Sequence, residues 1–242
     1  LLIFMVIYGI VNGAFKEALS FLFKPDFTKV TSNTFLVAMG QAFFSLSLGM
    51  GSIMAYGAYM SKDQNIVSTS YSVGALDTLV AIMAGLAVFP IIFYIPGLEP
   101  SGGPGLVFIS LQSAFNQMDF GNIIGPIFFI LLSVAALSSS ISILEPGVAY
   151  LSEEGYLSRT KSAIIISLIC WLIGIGTALG FDKEGNNTFQ ANMELISTNI
   201  MQPLGGMLIA IFIGWFMKES LIKDELGIVN QDVYTLWRVF IK

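Results

Sequence analysis

The sequence predicts an all-α polytopic membrane protein, and three observations carry that expectation. Its 242 residues are 55% hydrophobic and 11% charged, with a mean hydropathy of +0.79. A soluble domain carries about 25% charged residues, so too few are present here to cover a water-facing surface. Several uninterrupted apolar runs approach the roughly 20 residues that a helix needs to cross a bilayer. A β-barrel would show short segments of alternating polarity instead.

The same composition excludes other classes. The net charge is −5 and no run of Lys and Arg occurs, which argues against nucleic acid as a partner. The single cysteine, Cys170, lies in an apolar run and cannot form an internal disulfide. The chain has no histidine, which removes His-based triads and His-ligated metal sites. No Walker-type loop, zinc-spaced Cys pair or Gly-x-Ser-x-Gly is present, and no nucleophile–base pair stands out, so an enzyme is not expected.

Taken in order, Leu1 to about Phe15 reads as the end of one span. A short amphipathic piece then leads into the turn Lys24-Pro25-Asp26-Phe27. Val30 to Ser61 is free of charge throughout. As one helix it would reach about 48 Å, well beyond a hydrocarbon core of about 30 Å. Its centre, Ser45-Leu46-Ser47-Leu48-Gly49-Met50-Gly51-Ser52, is poor in helix formers. That run is either one span interrupted at Ser47 to Gly51 or a tilted helix with a small-residue packing face. Thr78 to Gly97 is a span whose helix starts near Ile66. The Gly/Pro-rich turn Glu99 to Gly105 precedes Leu106 to Met118, too short and polar to span, and expected at the surface or packed into a vestibule. Phe120 to Leu144, Ser162 to Phe181 and Leu195 to Met217 complete the spans. Asp182 to Asn187 reads as a polar loop and contains the triplet Asn186-Asn187-Thr188, formally a glycosylation sequon. Val233 to Lys242 reads as a helix that has barely begun, and neither end carries a start methionine or signal-peptide charge pattern, so a fragment of a longer protein is expected. Seven of the Lys and Arg residues (Lys62, Arg159, Lys161, Lys218, Lys223, Arg238, Lys242) would share the cytoplasmic side, against Lys16, Lys24, Lys29 and Lys183.

Two features carry chemistry. Asp77 precedes a long apolar run within a span, where a carboxylate costs on the order of 2.5–3.5 kcal/mol on insertion scales. Either a cation or polar partner offsets that cost, or the acid sits near the interface and points to water. Ser138, Ser139, Ser140 and Ser142 place four hydroxyls within five positions of an apolar helix. Ser138 and Ser139, with the carbonyl of Ala135 about one turn earlier, suit a hard cation such as sodium. The alternative is helix packing, each serine bonded to the carbonyl four residues back in its own helix. A broken span, an intramembrane acid and a hydroxyl cluster together are the parts of a transporter core.

At these residues the chain resembles a known family. Gln41-Ala42-Phe43-Phe44-Ser45-Leu46-Ser47-Leu48-Gly49-Met50-Gly51, then Tyr56, Tyr59 and Lys62-Asp63-Gln64, closely resemble the sixth helix of the neurotransmitter:sodium symporter family. Ala135 to Ile143, followed by Glu145-Pro146, resembles its eighth helix. Phe21 to Phe27 resembles the loop before the sixth helix, and Gly103 to Phe108 the long outer loop of bacterial members. The resemblance covers the whole chain as a single transmembrane domain fragment, 1–242, from the end of the fifth helix to the start of the eleventh.

The resemblance implies part of a LeuT-type inverted-repeat fold in a multi-pass protein of the cell membrane. It implies a sodium-coupled symporter of amino acids or related small amines, with sodium ions and an amino-acid substrate as partners and the missing N-terminal helices completing the sites. One sodium site would use Ser45 and Asp77, the other Ala135, Ser138 and Ser139. The substrate pocket would include Phe44 as a lid, with Ser45, Ser47, Met50, Ser140 and Ile143. Tyr59 and Glu153 would belong to the cytoplasmic gate, and Glu194 would pair with an arginine of the outer gate. Met50 replaces a common aromatic residue and Asp77 a common asparagine. Chloride-dependent members carry serine at the position of Ala81, which lies one turn from Asp77. A fixed carboxylate there predicts chloride-independent transport. A non-transporting scaffold or an ion-conducting channel on a related helical fold are the alternatives. The channel lacks a repeated filter or charge ring, and the scaffold predicts loss of ligand residues that are here retained. Substrate-dependent sodium flux separates all three.

Overall fold

The structure is a computed structural model that describes residues 1–61, 63–98, 100, 103–180, 187–228 and 230–241. Lys62, Glu99, Lys183, Lys242, most of the loop expected at 182–187 and Asn186 of the sequon lie outside the described residues. All regular structure in the described residues is helical, as the apolar runs predict. The chain falls into two compact units: residues 1–30, 78–140 and 180–188, and residues 31–77, 141–179 and 189–242.

In the first unit, α1 (Leu2–Asn12) and α2 (Phe15–Phe23) meet at a bend of 115°. Gly13 marks the bend, where a Cβ would lie 2.9 Å from the Pro90 carbonyl oxygen. The C-terminal part of α5 (Ile66–Tyr94) supplies Ala87, Ile91 and Ile92 to a core shared with Met5 of α1. The segment after the Gly/Pro turn enters the same core. It is π-helical over Leu106–Leu111 and continues as α6 (Gln112–Phe115), with Leu111 and Ala114 fully buried and Phe115 3% exposed. One face of the segment is thus packed against this core, while Phe108 (58%) and Ile109 (46%) stay exposed. The apolar side chains on one face of this short helix bury more favourably than they would against water.

The second unit holds the interrupted span. The run from Val30 to Ser61 is not one helix but α3 (Ser32–Ser45) and α4 (Ser52–Ala58), with Leu46 to Gly51 non-helical. Of the two sequence readings, the interruption is the one realised. Thr31 opens α3, its N–H donating to Thr34 Oγ1 at 3.0 Å.

Helix α7 (Gly121–Glu153) begins in the first unit and ends in the second. It outruns the expected end at Leu144 and passes straight through Pro146. Proline has no N–H for the carbonyl four residues back, which is that of Ser142. Ser52 Oγ donates to that carbonyl at 3.2 Å, so a hydroxyl at the start of α4 replaces the lost helical donor. Then come α8 (Arg159–Leu179) and a span from 188 to 216. That span is α9 (Thr188–Glu194), a π stretch (Leu195–Met201), α10 (Gln202–Ile211) and a second π stretch (Phe212–Phe216). Pro203, at the start of α10, has no N–H to give, which accounts for the wider turn before it. Helices α11 (Glu219–Leu226) and α12 (Gln231–Ile241) follow.

Four described helices are long and apolar enough to cross a membrane: Ile66–Tyr94, Gly121–Glu153, Arg159–Leu179 and Thr188–Phe216. The bent pair α1–α2 would make a fifth. Large side chains such as Leu137 and Trp171 (63% exposed each) stand out from these helices.

Candidate functional site

The site grows from the break. Ser47, Gly49 and Gly51 have φ of 54°, 74° and 89°. Gly adopts that region at no steric cost, whereas Ser47 is strained there, and such strain collects at functional segments. The end of α3 widens and tightens in turn, with Leu46 N–H on Ala42 O (3.1 Å), Ser47 N–H on Phe44 O (3.1 Å) and Leu48 N–H on Phe43 O (2.8 Å). Polar backbone away from a helical ladder is tolerated in a membrane only where protein or a hydrophilic cavity receives it.

Ser45, the last residue of α3, meets Asp77 of α5. Its hydroxyl donates to both carboxylate oxygens, at 2.8 and 2.7 Å. The predicted pair is thus brought together within the second unit, and of the two readings of Asp77 it is the one with a polar partner. With its proton directed to Asp77, Ser45 Oγ keeps its lone pairs, so hydroxyl and carboxylate oxygens stand side by side. Hard oxygen donors of this kind suit an alkali cation better than a soft or transition metal.

The other predicted residues divide between the units. Ala135, Ser138, Ser139 and Ser140 belong to the first, and Phe44, Ser47, Met50 and Ile143 to the second. Ser138 Oγ donates to Ala135 O at 2.8 Å and Ser140 Oγ to Ala136 O at 2.7 Å. Ser140 makes the four-back bond of the packing alternative, whereas Ser138 bonds three residues back and so sets its hydroxyl beside the Ala135 carbonyl. Phe44 and Ile143 are each 51% exposed.

Of the residues expected at the gates, Tyr59 lies beside Glu145 of α7, and Glu153 ends that helix. Tyr59 Oη donates to Glu145 Oε1 at 3.2 Å, and Arg159 Nη2 reaches the two oxygens of Glu145 at 2.7 and 2.9 Å. Eight residues of helix put Glu153 about 12 Å further along α7, beyond that contact. Glu145 entered the sequence reading only as part of a motif. A carboxylate beside a proline in an apolar helix, with Arg159 shortly after, was the signal for it. Tyr56 Oη also hydrogen bonds Ser142 Oγ, a second tie from α4 to α7. Glu194 accepts from Gln190 Nε2 at 2.8 Å. Arg159 pairs with Glu145, and Arg238 lies 3.8 Å from Glu219.

These features define a class: an α-helical protein with several helices long and apolar enough to cross a membrane and one discontinuous span. Comparison with known proteins makes the assignment. The profile described as the sodium:neurotransmitter symporter family matches residues 1–242. The chain is 33% identical over 247 residues to an uncharacterized sodium-dependent transporter of Haemophilus influenzae, covering 100% of this chain and 54% of that protein. It is 33% identical over 221 residues to the uncharacterized sodium-dependent transporter YhdH of Bacillus subtilis, covering 89% of this chain and 49% of the relative. The crystal structure of MhsT in complex with L-phenylalanine superposes with a TM-score of 0.89 at 42% identity, over 99% of this chain and 56% of that one. The chain belongs to the sodium:neurotransmitter symporter family. These relatives are transporters, not enzymes, and the chain spans about half the length of the curated relatives it matches.

Proposed function

We propose that this chain, as one transmembrane domain, carries the sodium and substrate sites of a sodium-coupled symporter of amino acids or related small amines that works without chloride. The observation that carries the reading is the Ser45–Asp77 pair at the helix break. A sodium ion bound there would meet hydroxyl and carboxylate oxygens, with carbonyls of the break within the same stretch of chain. At about 4 Å and an effective dielectric of about 20, the carboxylate attracts the ion by about 4 kcal/mol. That fixed negative charge takes the part that chloride plays in members with serine at the position of Ala81.

Ala135, Ser138 and Ser139 form the second sodium site in this reading. Phe44, Ser45, Ser47, Met50, Ser140 and Ile143 hold the substrate. Tyr59 closes the cytoplasmic gate through Glu145 and Arg159, with Glu153 at its edge, and Glu194 serves the outer gate. The likeness to MhsT, whose structure holds L-phenylalanine, makes that amino acid the first substrate to try. The test is uptake of labelled amino acids by proteoliposomes holding the complete gene product, with a sodium gradient or with N-methylglucamine. Accumulation should need sodium and be competed by the best amino acid. Equal uptake without sodium contradicts the reading.

A further inference from the structure

The break does not stand free. In the second unit it rests on the span 188–216 through backbone-to-backbone contact, and glycines make that contact from both sides. A Cβ on Gly49 would overlap the Gln202 carbonyl oxygen and lie 2.9 Å from Gly206 N. A Cβ on Gly205 would overlap the Gly49 carbonyl oxygen and lie 3.1 Å from its carbon. A Cβ on Gly206 would overlap the ring edge of Phe43, the residue before the proposed lid. Further up α3, a Cβ on Gly40 would overlap Asn199 Oδ1.

Gly49 sits between Ser47 and Met50, so wherever its peptide rests, the proposed pocket residues follow. The supporting helix is irregular at the same place: the π stretch Leu195–Met201 ends where Gln202 and Pro203 begin. Wider turns of this kind collect at functional sites. Gln202 is 7% exposed and its Oε1 has no hydrogen-bond partner among the described residues. A buried acceptor left unmatched lowers stability, and its presence calls for a use other than packing. The glycine contact fixes the position of the Gly49 peptide against α10.

We propose that Gln202, Gly205 and Gly206 are positioning residues for the ligand sites of the break: α10 is the bearing on which Ser47 to Met50 are seated. The inference rests on the proposed function of the break as a ligand site. A methyl group at Gly205 must push the Gly49 peptide away, and with it Ser45, Ser47 and Met50. Displacements of about 1 Å are enough to cost a binding constellation much of its function.

The test uses the complete gene product in membranes, with uptake normalised to the amount of protein present. Gly205→Ala should raise the half-saturating concentrations of both substrate and sodium at least tenfold. Gly206→Ala, whose methyl meets a side chain that can turn, should raise them about threefold. Gly174→Ala, with open space around its Cβ, should change neither. Gln202→Leu should weaken substrate binding while leaving the melting temperature unchanged or higher, since it removes an unmatched polar group. A structural role alone would lower both together. Half-saturations within twofold of wild type for Gly205→Ala and Gly206→Ala overturn the proposal. If Gly205→Ala does not reach the membrane, Gly206→Ala and Gln202→Leu decide it by the same criterion. Wild-type protein without sodium-driven uptake would instead refute the reading of the break as a ligand site, and this inference with it.

Discussion

Pro146 and Ser52 together allow one interaction to be weighed in isolation. Proline in α7 leaves the Ser142 carbonyl without its helical donor, and Ser52 Oγ supplies a donor at 3.2 Å. Ser52 is 1% exposed, so water does not substitute for the hydroxyl when it is removed. Ser52→Ala should therefore cost about 0.5–1.5 kcal/mol, the net worth of one buried hydrogen bond. For a chain of this size that is a fall of about 1–6 °C in melting temperature. Pro146→Ala restores a peptide N–H where the Ser142 carbonyl expects one. In that background Ser52→Ala should cost less than about 0.5 kcal/mol, a coupling that a double-mutant cycle reads directly. The assay is thermal unfolding of the four detergent-solubilised proteins. Strict additivity, with Ser52→Ala costing the same in both backgrounds, refutes the idea that the hydroxyl stands in for the missing amide.

Three other outcomes follow from the same geometry. Replacing Ser138 and Ser139 by alanine should raise the sodium concentration for half-maximal uptake more than the substrate concentration measured at saturating sodium, and unchanged sodium dependence leaves those serines a packing role. Glu145→Gln removes the charge that Arg159 and Tyr59 share; it should expose the α4 end to cytoplasmic thiol reagents at an introduced cysteine several-fold faster, and unaltered labelling rates dismiss a gating role for the cluster. Outside the spans, the hydrogen bond from Lys223, then that from Gln231, holds the Glu219 carboxyl below its ordinary value. A depressed carboxyl contributes its stability above the unfolded pKa and loses it as pH falls through the folded one, so the α11–α12 contacts should persist at neutral pH and weaken only below about pH 4. Glu219→Gln should flatten that acid limb in hydrogen exchange of α12.

How much was legible in the chain follows from what is local. The break was readable because thirty-odd uncharged residues exceed a bilayer and the weak centre falls at Ser45 to Ser52. Asp77 was readable because a carboxylate in an apolar run needs a partner. The partner of Tyr59 was not, since Glu145 and Glu153 lie on one helix and only the hairpin from α7 to α8 decides which of them Arg159 reaches. Pro146 and the π stretches were not legible either. A proline reads as a stop unless something supplies the lost donor, and here it comes from Ser52, ninety residues earlier in sequence. The burial of Leu106 to Phe115 likewise depends on α1 and α5, which no local pattern reports.

As proposed, the Asp77 carboxylate, beside Ser45, binds sodium and supplies the negative charge that chloride supplies in chloride-dependent relatives. Sodium-driven amino-acid uptake by the complete gene product, measured with chloride and with gluconate, tests it most directly. Wild type should show equal uptake in the two anions, and the double variant Asp77→Asn, Ala81→Ser should require chloride. Loss of wild-type uptake in gluconate would contradict it.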